Sequence, residues 1–288
     1  MVKTIFSIIF FQLLIVSEFS TFAQNGTEIY LLDLNSTKSG FQVSNPVNIT
    51  HRKGYDNQPC FDEKGQAVYY SAFLDSIQSD IYCYEFNTGV TKQITSNSES
   101  EYSPQIMPDK KYLSVVKGKE QNITAMQLDG SNARIVATHK DSIGYYRWID
   151  KNQLVAFILT KPHSLQWMNI QTKENKIIMQ HPGRSIFKYK DGVIVCNKEN
   201  PDTCSISFVT KYGDRLDWLN LPPGTEDFFL TESAYVFTSN KGKILYTSLL
   251  SPDDEWKELI DLTSIGIIKI TRIAVNRKQN KMAIVVPE

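Results

Sequence analysis

The sequence predicts an all-β fold, a six-bladed β-propeller of four-stranded antiparallel blades, and three observations carry this prediction. The chain beyond residue 26 is built of short β-branched and aromatic runs broken by Asn, Asp, Gly, Lys and Pro, with no long amphipathic helical pattern. The runs recur: Val68, Leu113, Leu154, Val193, Tyr235 and Met282 occupy matching places, separated by 45, 41, 39, 42 and 47 residues. Each full unit holds four runs, and a period of about 40–45 residues with four strands per unit is the signature of propeller blades. A sandwich of two sheets has no reason to repeat at this spacing.

The elements follow in chain order. Lys3 precedes an apolar stretch, Ile5 to Val16, and Thr21-Phe22-Ala23 places small residues where a signal peptidase cuts. Residues 1–23 therefore read as a signal peptide, since the apolar stretch is well short of the roughly 20 residues of a spanning helix. Residues 24–288 are expected to form a single propeller domain, periplasmic or secreted, with no membrane span after cleavage. Glu28–Leu34 and Pro46–Thr50 match the third and fourth strands of a blade; Thr271–Val275 and Met282–Val286 match the first and second. Residues 27–50 and 265–288 are thus predicted to share one closing blade, which removes the exposed edges of a ring seam.

Five complete blades lie between these ends. The first reads Gln58–Phe61, Gln66–Ser71, Asp80–Phe86 and Val90–Thr95, and the second Pro104–Met107, Tyr112–Val116, Asn122–Leu128 and Ala133–Thr138. The third reads Tyr145–Ile149, Leu154–Leu159, Ser164–Ile170 and Lys176–Gln180, and the fourth Ile186–Tyr189, Val193–Cys196, Ser205–Lys211 and Arg215–Leu221. The fifth reads Asp227–Leu230, Tyr235–Thr238, Lys243–Leu250 and Trp256–Thr263. A blade cannot cover both of its faces alone, so stacked blades explain strands that are apolar on both sides.

The first two complete units carry a more specific pattern. Asn57-Gln58-Pro59-Cys60-Phe61-Asp62-Glu63-Lys64-Gly65 and Tyr102-Ser103-Pro104-Gln105-Ile106-Met107-Pro108-Asp109-Lys110-Lys111 each precede a strand, and a hydrophobic-Thr pair ends repeats at Ile49-Thr50, Ile94-Thr95 and Leu262-Thr263. This resembles the WD-like repeat of bacterial, exported TolB-type propellers, strongly over residues 27–137 and at the level of pattern beyond. The resemblance implies a non-enzymatic scaffold that binds an envelope protein or a peptide segment. The same architecture hosts pectic oligosaccharide lyases, so an oligogalacturonide lyase-like or small-ligand-binding propeller is the alternative.

Composition narrows the partners. Lys+Arg and Asp+Glu are both 31, leaving no basic excess for nucleic acid. No nucleophile elbow, zinc-protease motif, phosphate loop or C-x-x-C pair is present. No catalytic residues, metal or cofactor are expected, and the chain is expected to be a monomer. His51, His139 and His181 follow the fourth strands of their units, and His163 lies between a second and a third strand. Both loop types emerge on one face of a propeller, so these four are candidates for a ligand-binding face.

Tyr55, Asp56, Tyr102, Tyr145, Tyr146 and Arg147 lie at the starts of innermost strands and could line the channel mouth on that face, Tyr and Arg being common interface anchors. Cys196 and Cys204 flank a hairpin loop and are candidates for a cross-strand disulfide in an oxidising compartment. Cys60 and Cys83 fall two strands apart in one blade, about 10 Å, and read as packed thiols.

Overall fold

The computed structural model describes residues 26–38, 40–73, 78–200, 202–251 and 255–288; the expected signal peptide lies outside them. Among the described residues, six four-stranded antiparallel sheets surround a central channel lined by the innermost strand of every sheet.

Blade 1 is β3 (Asp56–Phe61), β4 (Ala67–Phe73), β5 (Ser79–Glu85) and β6 (Val90–Gln93). Blade 2 is β7 (Glu101–Ile106), β8 (Tyr112–Lys117), β9 (Asn122–Gln127) and β10 (Arg134–Ala137). Blade 3 is β11 (Ile143–Trp148), β12 (Gln153–Ile158), β13 (Ser164–Asn169) and β14 (Asn175–Gln180). Blade 4 is β15 (Pro182–Tyr189), β16 (Gly192–Asn197), β17 (Ser205–Thr210) and β18 (Arg215–Asn220). Blade 5 is β19 (Phe228–Leu230), β20 (Tyr235–Asn240), β21 (Lys243–Ser248) and β22 (Lys257–Asp261). The closing blade combines the chain ends: β23 (Arg272–Val275) and β24 (Lys281–Pro287) pair with β1 (Thr27–Thr37) and β2 (Gly40–Asn48). Pairing of β1 with β24, from Thr27↔Pro287 to Asp33↔Lys281, seals the ring.

The core is divided among the six interfaces between neighbouring blades, and strand alternation supplies both sides of each. In β24, Met282 and Ile284 pack toward blade 5, while Ala283 and Val285 pack toward blade 1. In β12, Leu154, Ala156 and Ile158 face blade 2; Val155 and Phe157 face blade 4. In β16, Val193 and Val195 face blade 3, and Ile194 and Cys196 face blade 5. Successive side chains of a strand point to opposite faces, so a strand buried on both faces must be apolar throughout.

Several strand boundaries differ from the sequence expectation. The outermost strand of the closing blade runs Gly40–Asn48 rather than Pro46–Thr50, forming a hairpin with β1 paired from Thr37↔Gly40 to Tyr30↔Asn48, with a register shift between Leu31 and Asp33. Its Phe41 packs edge-on against Tyr235, Phe237 and Tyr246 of blade 5, so one aromatic anchors the start of this weakly patterned strand. Gly40 has φ +136°, and a Cβ there would strike the Tyr246 hydroxyl. The inner strands β3 and β7 also begin earlier than expected, at Asp56 and Glu101. Gln58 (φ 60°) and Ser103 (φ 53°) make bulges where pairing shifts register, and the strands continue through Pro59 and Pro104. Proline is tolerated because an innermost strand is an edge, so no ladder partner needs its missing N–H.

The closing blade depends on β24. Ile284→Ala, at a fully buried position, is expected to cost about 2–5 kcal/mol in chemical denaturation. Ile268→Ala, with Ile268 75% exposed, is expected to stay within about 0.5 kcal/mol of the parent.

Candidate functional site

The central channel encloses about 410 Å³ and is lined by residues of all six innermost strands. One repeat position builds much of its wall. Phe61, Ile106, Trp148, Lys188, Leu230 and Val275 pair with the first buried hydrophobic residues of the adjoining second strands. Three residues before each stand Gln58, Ser103, Tyr145, Ser185, Asp227 and Arg272, and all six line the channel. Arg147 and Arg184 stand beside them in the same wall.

The charges at the two ends are arranged differently. Where the innermost strands start, Arg184 donates from Nε and Nη2 to Asp227 Oδ2 at 3.2 and 2.9 Å and from Nη2 to Thr271 O at 2.8 Å, tying blades 4 and 5 to the closing blade. Ser185 Oγ donates to the other Asp227 oxygen. Arg272 donates to the Tyr145 hydroxyl at 3.1 Å and lies over that ring at 5.2 Å. Arg147 donates Nε to Ile186 O at 2.9 Å and lies over Phe187 at 5.0 Å. Burial pushes the Arg147 pKa down from its ordinary value. At the opposite end, Arg277 pairs with Glu63 and with Glu232, and Glu63 also pairs with Lys110 at 2.5 Å.

The expected mouth residues separate into two groups. Tyr102 and Tyr145 are half-buried, and Tyr145 reaches the channel. Arg147 does too. Tyr146 corrects the expectation: only 2% exposed, it turns its phenol between blades 2 and 3 and donates to Ser114 Oγ at 2.8 Å, while its carbonyl accepts from Gln105 of the channel wall. Alternation along β11 is the reason, since residues 145 and 147 point to one face and 146 and 148 to the other. Ser114 Oγ also accepts from Trp148 Nε1 at 2.9 Å and donates to Gln105 O.

Tyr55 and Asp56 are likewise buried. Tyr55 packs edge-on against Phe73, and burial pushes its phenol up to about 12. Asp56 accepts from Arg52 Nη2 at 2.5 Å, but its Oδ2 is buried without a partner. Burial outweighs that guanidinium and pushes the Asp56 carboxyl up to about 7. Glu101 occupies the matching place in blade 2, with Oε1 accepting from Lys117 at 2.9 Å and Asn97 at 2.8 Å.

The four histidines follow loops of one face but do not converge into one cluster. His51 and His181 are exposed and take left-handed backbone (φ 44° and 51°). His163 is exposed, stacks obliquely on Phe157 and bonds Thr160 O; the backbone of His181 donates to that of His163. His139 is bound internally, with Nδ1 near Asp141 and Nε2 3.1 Å from Gln166 Oε1. No group of three or more His, Cys, Asp or Glu side chains arranged for a metal occurs among the described residues.

Cys196 is buried, with half-buried Cys204 beside it in the cluster between blades 4 and 5, and both are free thiols. Burial and the neighbouring sulfur push the Cys196 thiol up. Cys60 and Cys83 are also free; Tyr69 stands between them in the pairing, as the strand count requires.

The sequence reading missed Arg184, Asp227 and Arg272. Asp227 and Arg272 could have been found from the repeat register, three residues before each inner-strand anchor. Arg184, one place earlier still, has no such marker.

Six four-stranded blades around a polar, arginine-bearing channel define the protein class, a six-bladed β-propeller. The fold is of the TolB type. The chain is similar to a protein assigned as TolB from Agrobacterium tumefaciens (TM-score 0.66, 10% identity, covering 92% of this chain and 99% of that one). It is also similar to TolB from Acinetobacter baumannii (TM-score 0.58, 13% identity, 91% of this chain), of whose length it spans 65%. A gluconolactonase from Xanthomonas campestris shares the ring as well (TM-score 0.64, 9% identity, covering 84% and 90%). No family model and no curated protein sequence matches the chain. One ring thus serves proteins of different kinds, and the fold alone does not decide between binding and catalysis.

The raised Asp56 pKa has a definite consequence for stability. The unfolded carboxyl, near 3.8, ionises before the folded one, near 7. The folded protein retains a proton that the unfolded chain releases, so this group lowers stability as pH rises through that window. Urea denaturation at several pH values is expected to show the parent losing ground between about pH 4 and pH 7, with that slope reduced in Asp56→Asn.

Proposed function

We propose that the chain is an exported, non-enzymatic binding propeller of the cell envelope, whose channel mouth at the start of the innermost strands holds a segment of a partner protein. The observation that carries this reading is the mouth itself: half-buried Tyr145 and arginine side chains standing in a channel of about 410 Å³, with half-buried Tyr102 near it. Such a volume and such a mixture of apolar surface with a few placed polar groups suit ligand capture. Rigid strands hold these groups in position, which limits the ordering cost of binding. The TolB-type fold and the sequence pattern of an export signal support the envelope location. Among the described residues no helix is long and apolar enough to cross a membrane.

The test is affinity capture from detergent-solubilised envelope of the source organism, with residues 24–288 as bait, read by mass spectrometry. A second bait carries Tyr102→Ala and Tyr145→Ala; Tyr55 is left intact because its burial would confound folding. A third carries Tyr212→Ala, at a 68% exposed position away from the channel. A partner recovered by the parent and the Tyr212 variant, and lost by a folded Tyr102/Tyr145 variant, supports the reading. Equal recovery by all three baits, or cleavage of uronate oligosaccharides by a stoichiometrically metal-loaded parent, overturns it.

Export also bears on Cys196 and Cys204. We expect these neighbouring thiols to join in an oxidising compartment. Protein recovered from the envelope without reductant should then, once unfolded, alkylate at two of its four cysteines, and at all four after reduction.

A further inference from the structure

Two arginines of the channel lack a counter-ion of their own. Arg184 has Asp227, and Arg277 has Glu63 and Glu232. Arg147 and Arg272 meet no carboxylate among the described residues; one bonds a backbone carbonyl and lies on Phe187, the other bonds and lies on Tyr145. Both line the same channel and share Tyr145 as a reference point. Tyr145 and Arg147 are two residues apart on β11, so they project from one face about 7 Å apart. Arg272 is held against that same tyrosine. Guanidinium groups kept out of bulk water without an opposite charge are unfavourable, and they are ready to receive one.

A second observation points the same way. Ser103 lines the same channel, is 7% exposed, and its hydroxyl is buried without a hydrogen-bond partner. Buried polar groups are nearly always paired, so an unpaired hydroxyl in a cavity wall marks a place for an acceptor that the chain does not supply.

We propose that this part of the channel is a carboxylate-binding site, with Arg147, Arg272 and Ser103 receiving the anionic group of the ligand. A planar carboxylate matches the guanidinium fork through two parallel hydrogen bonds. Asp227 in the same wall and the Glu63 and Glu232 carboxylates at the far end oppose a multiply charged phosphate more than a singly charged group. The carboxylate is carried either by a free organic acid, such as a sugar acid, or by an acidic side chain of the partner segment; in the second form the site rests on the binding reading above.

Isothermal titration of the mature protein at low salt tests the site with galacturonic acid and acetyl-Glu-Glu-amide as probes. Galactose, acetyl-Gln-Gln-amide and inorganic phosphate serve as references. At least one acid is expected to bind more tightly than its neutral counterpart and more tightly than phosphate. Arg147→Gln and Arg272→Gln should each weaken that binding about 10- to 100-fold, the range for losing a hydrogen bond to a charged group. Arg134→Gln, at an exposed position on the outermost strand of blade 2, should leave it unchanged. Arg147→Lys, which retains charge without the fork, should fall between parent and Arg147→Gln, and melting curves confirm that each variant is folded. Binding of the sugar acid alone assigns the site to free acids, and binding of the peptide alone assigns it to the partner segment.

Silence of both acids at millimolar concentration overturns the proposal, as does tighter binding of phosphate or unchanged affinity in both glutamine variants. The two readings fail separately. A partner captured equally by the Arg147→Gln/Arg272→Gln bait, with the acids silent, removes the carboxylate site and leaves the scaffold. Arginine-dependent acid binding without any captured partner leaves the site and removes the scaffold.

Discussion

Packing between neighbouring blades is the constraint on which the rest of the structure depends. A four-stranded sheet with two apolar faces is not stable in water alone, and stacking against two neighbours covers both faces at once. The six core clusters fall one to each interface, so no blade owns a private core. Arranged this way, the blades must close on themselves, because an end blade would leave one apolar face in water. The pairing of β1 with β24 answers that requirement: the seam is a run of strand hydrogen bonds inside a blade instead of a contact between two blades.

The same packing creates the channel and decides what can stand in it. Innermost strands are edges, with no further strand to pair on their inner side. Their backbone can therefore depart from regular pleating, as the bulges at Gln58 and Ser103 do. Side chains there are released from the demand for apolar contact that rules the middle strands. Polar residues thus gather at one register position around the ring, while positions one strand further out are buried and mostly apolar. Arg184 and Asp227 use this freedom structurally, binding three blades together at the mouth. The chemistry of the channel and the rigidity of its rim come from the same ring of residues.

Much of the fold was legible in the sequence because periodicity is a property of local chain. The spacing of Val68 through Met282 and the turns after Pro59 and Pro104 required no knowledge of partners, and they placed all six blades and the shared closing blade. The weakly patterned edge was harder: the segment Gly40–Val43 is polar but for Phe41 and Val43, and its strand is specified by aromatic contacts from blade 5. The site was less legible still. Tyr145 and Tyr146 are adjacent and identical in type, yet one reaches the channel and the other the interface between blades. Only the phase of alternation separates them, and a bulge between Ile143 and Tyr145 resets that phase.

The charges of the channel illustrate a stronger limit. Arg147 is informative only once Arg272 is known to share its channel, and Arg272 reaches Tyr145 across the ring rather than through sequence proximity. Local reading reports a residue's type and its strand, whereas the pairing state of a cation depends on every strand that faces it. Arg184 and Arg147 are the same residue type in the same wall; one is neutralised by Asp227 of the next blade, and the other has a backbone carbonyl and a phenyl ring. The functional meaning of each arginine is therefore set by its neighbours around the ring, so a repeat protein with nearly uniform blades can carry a site at one sector of its channel alone.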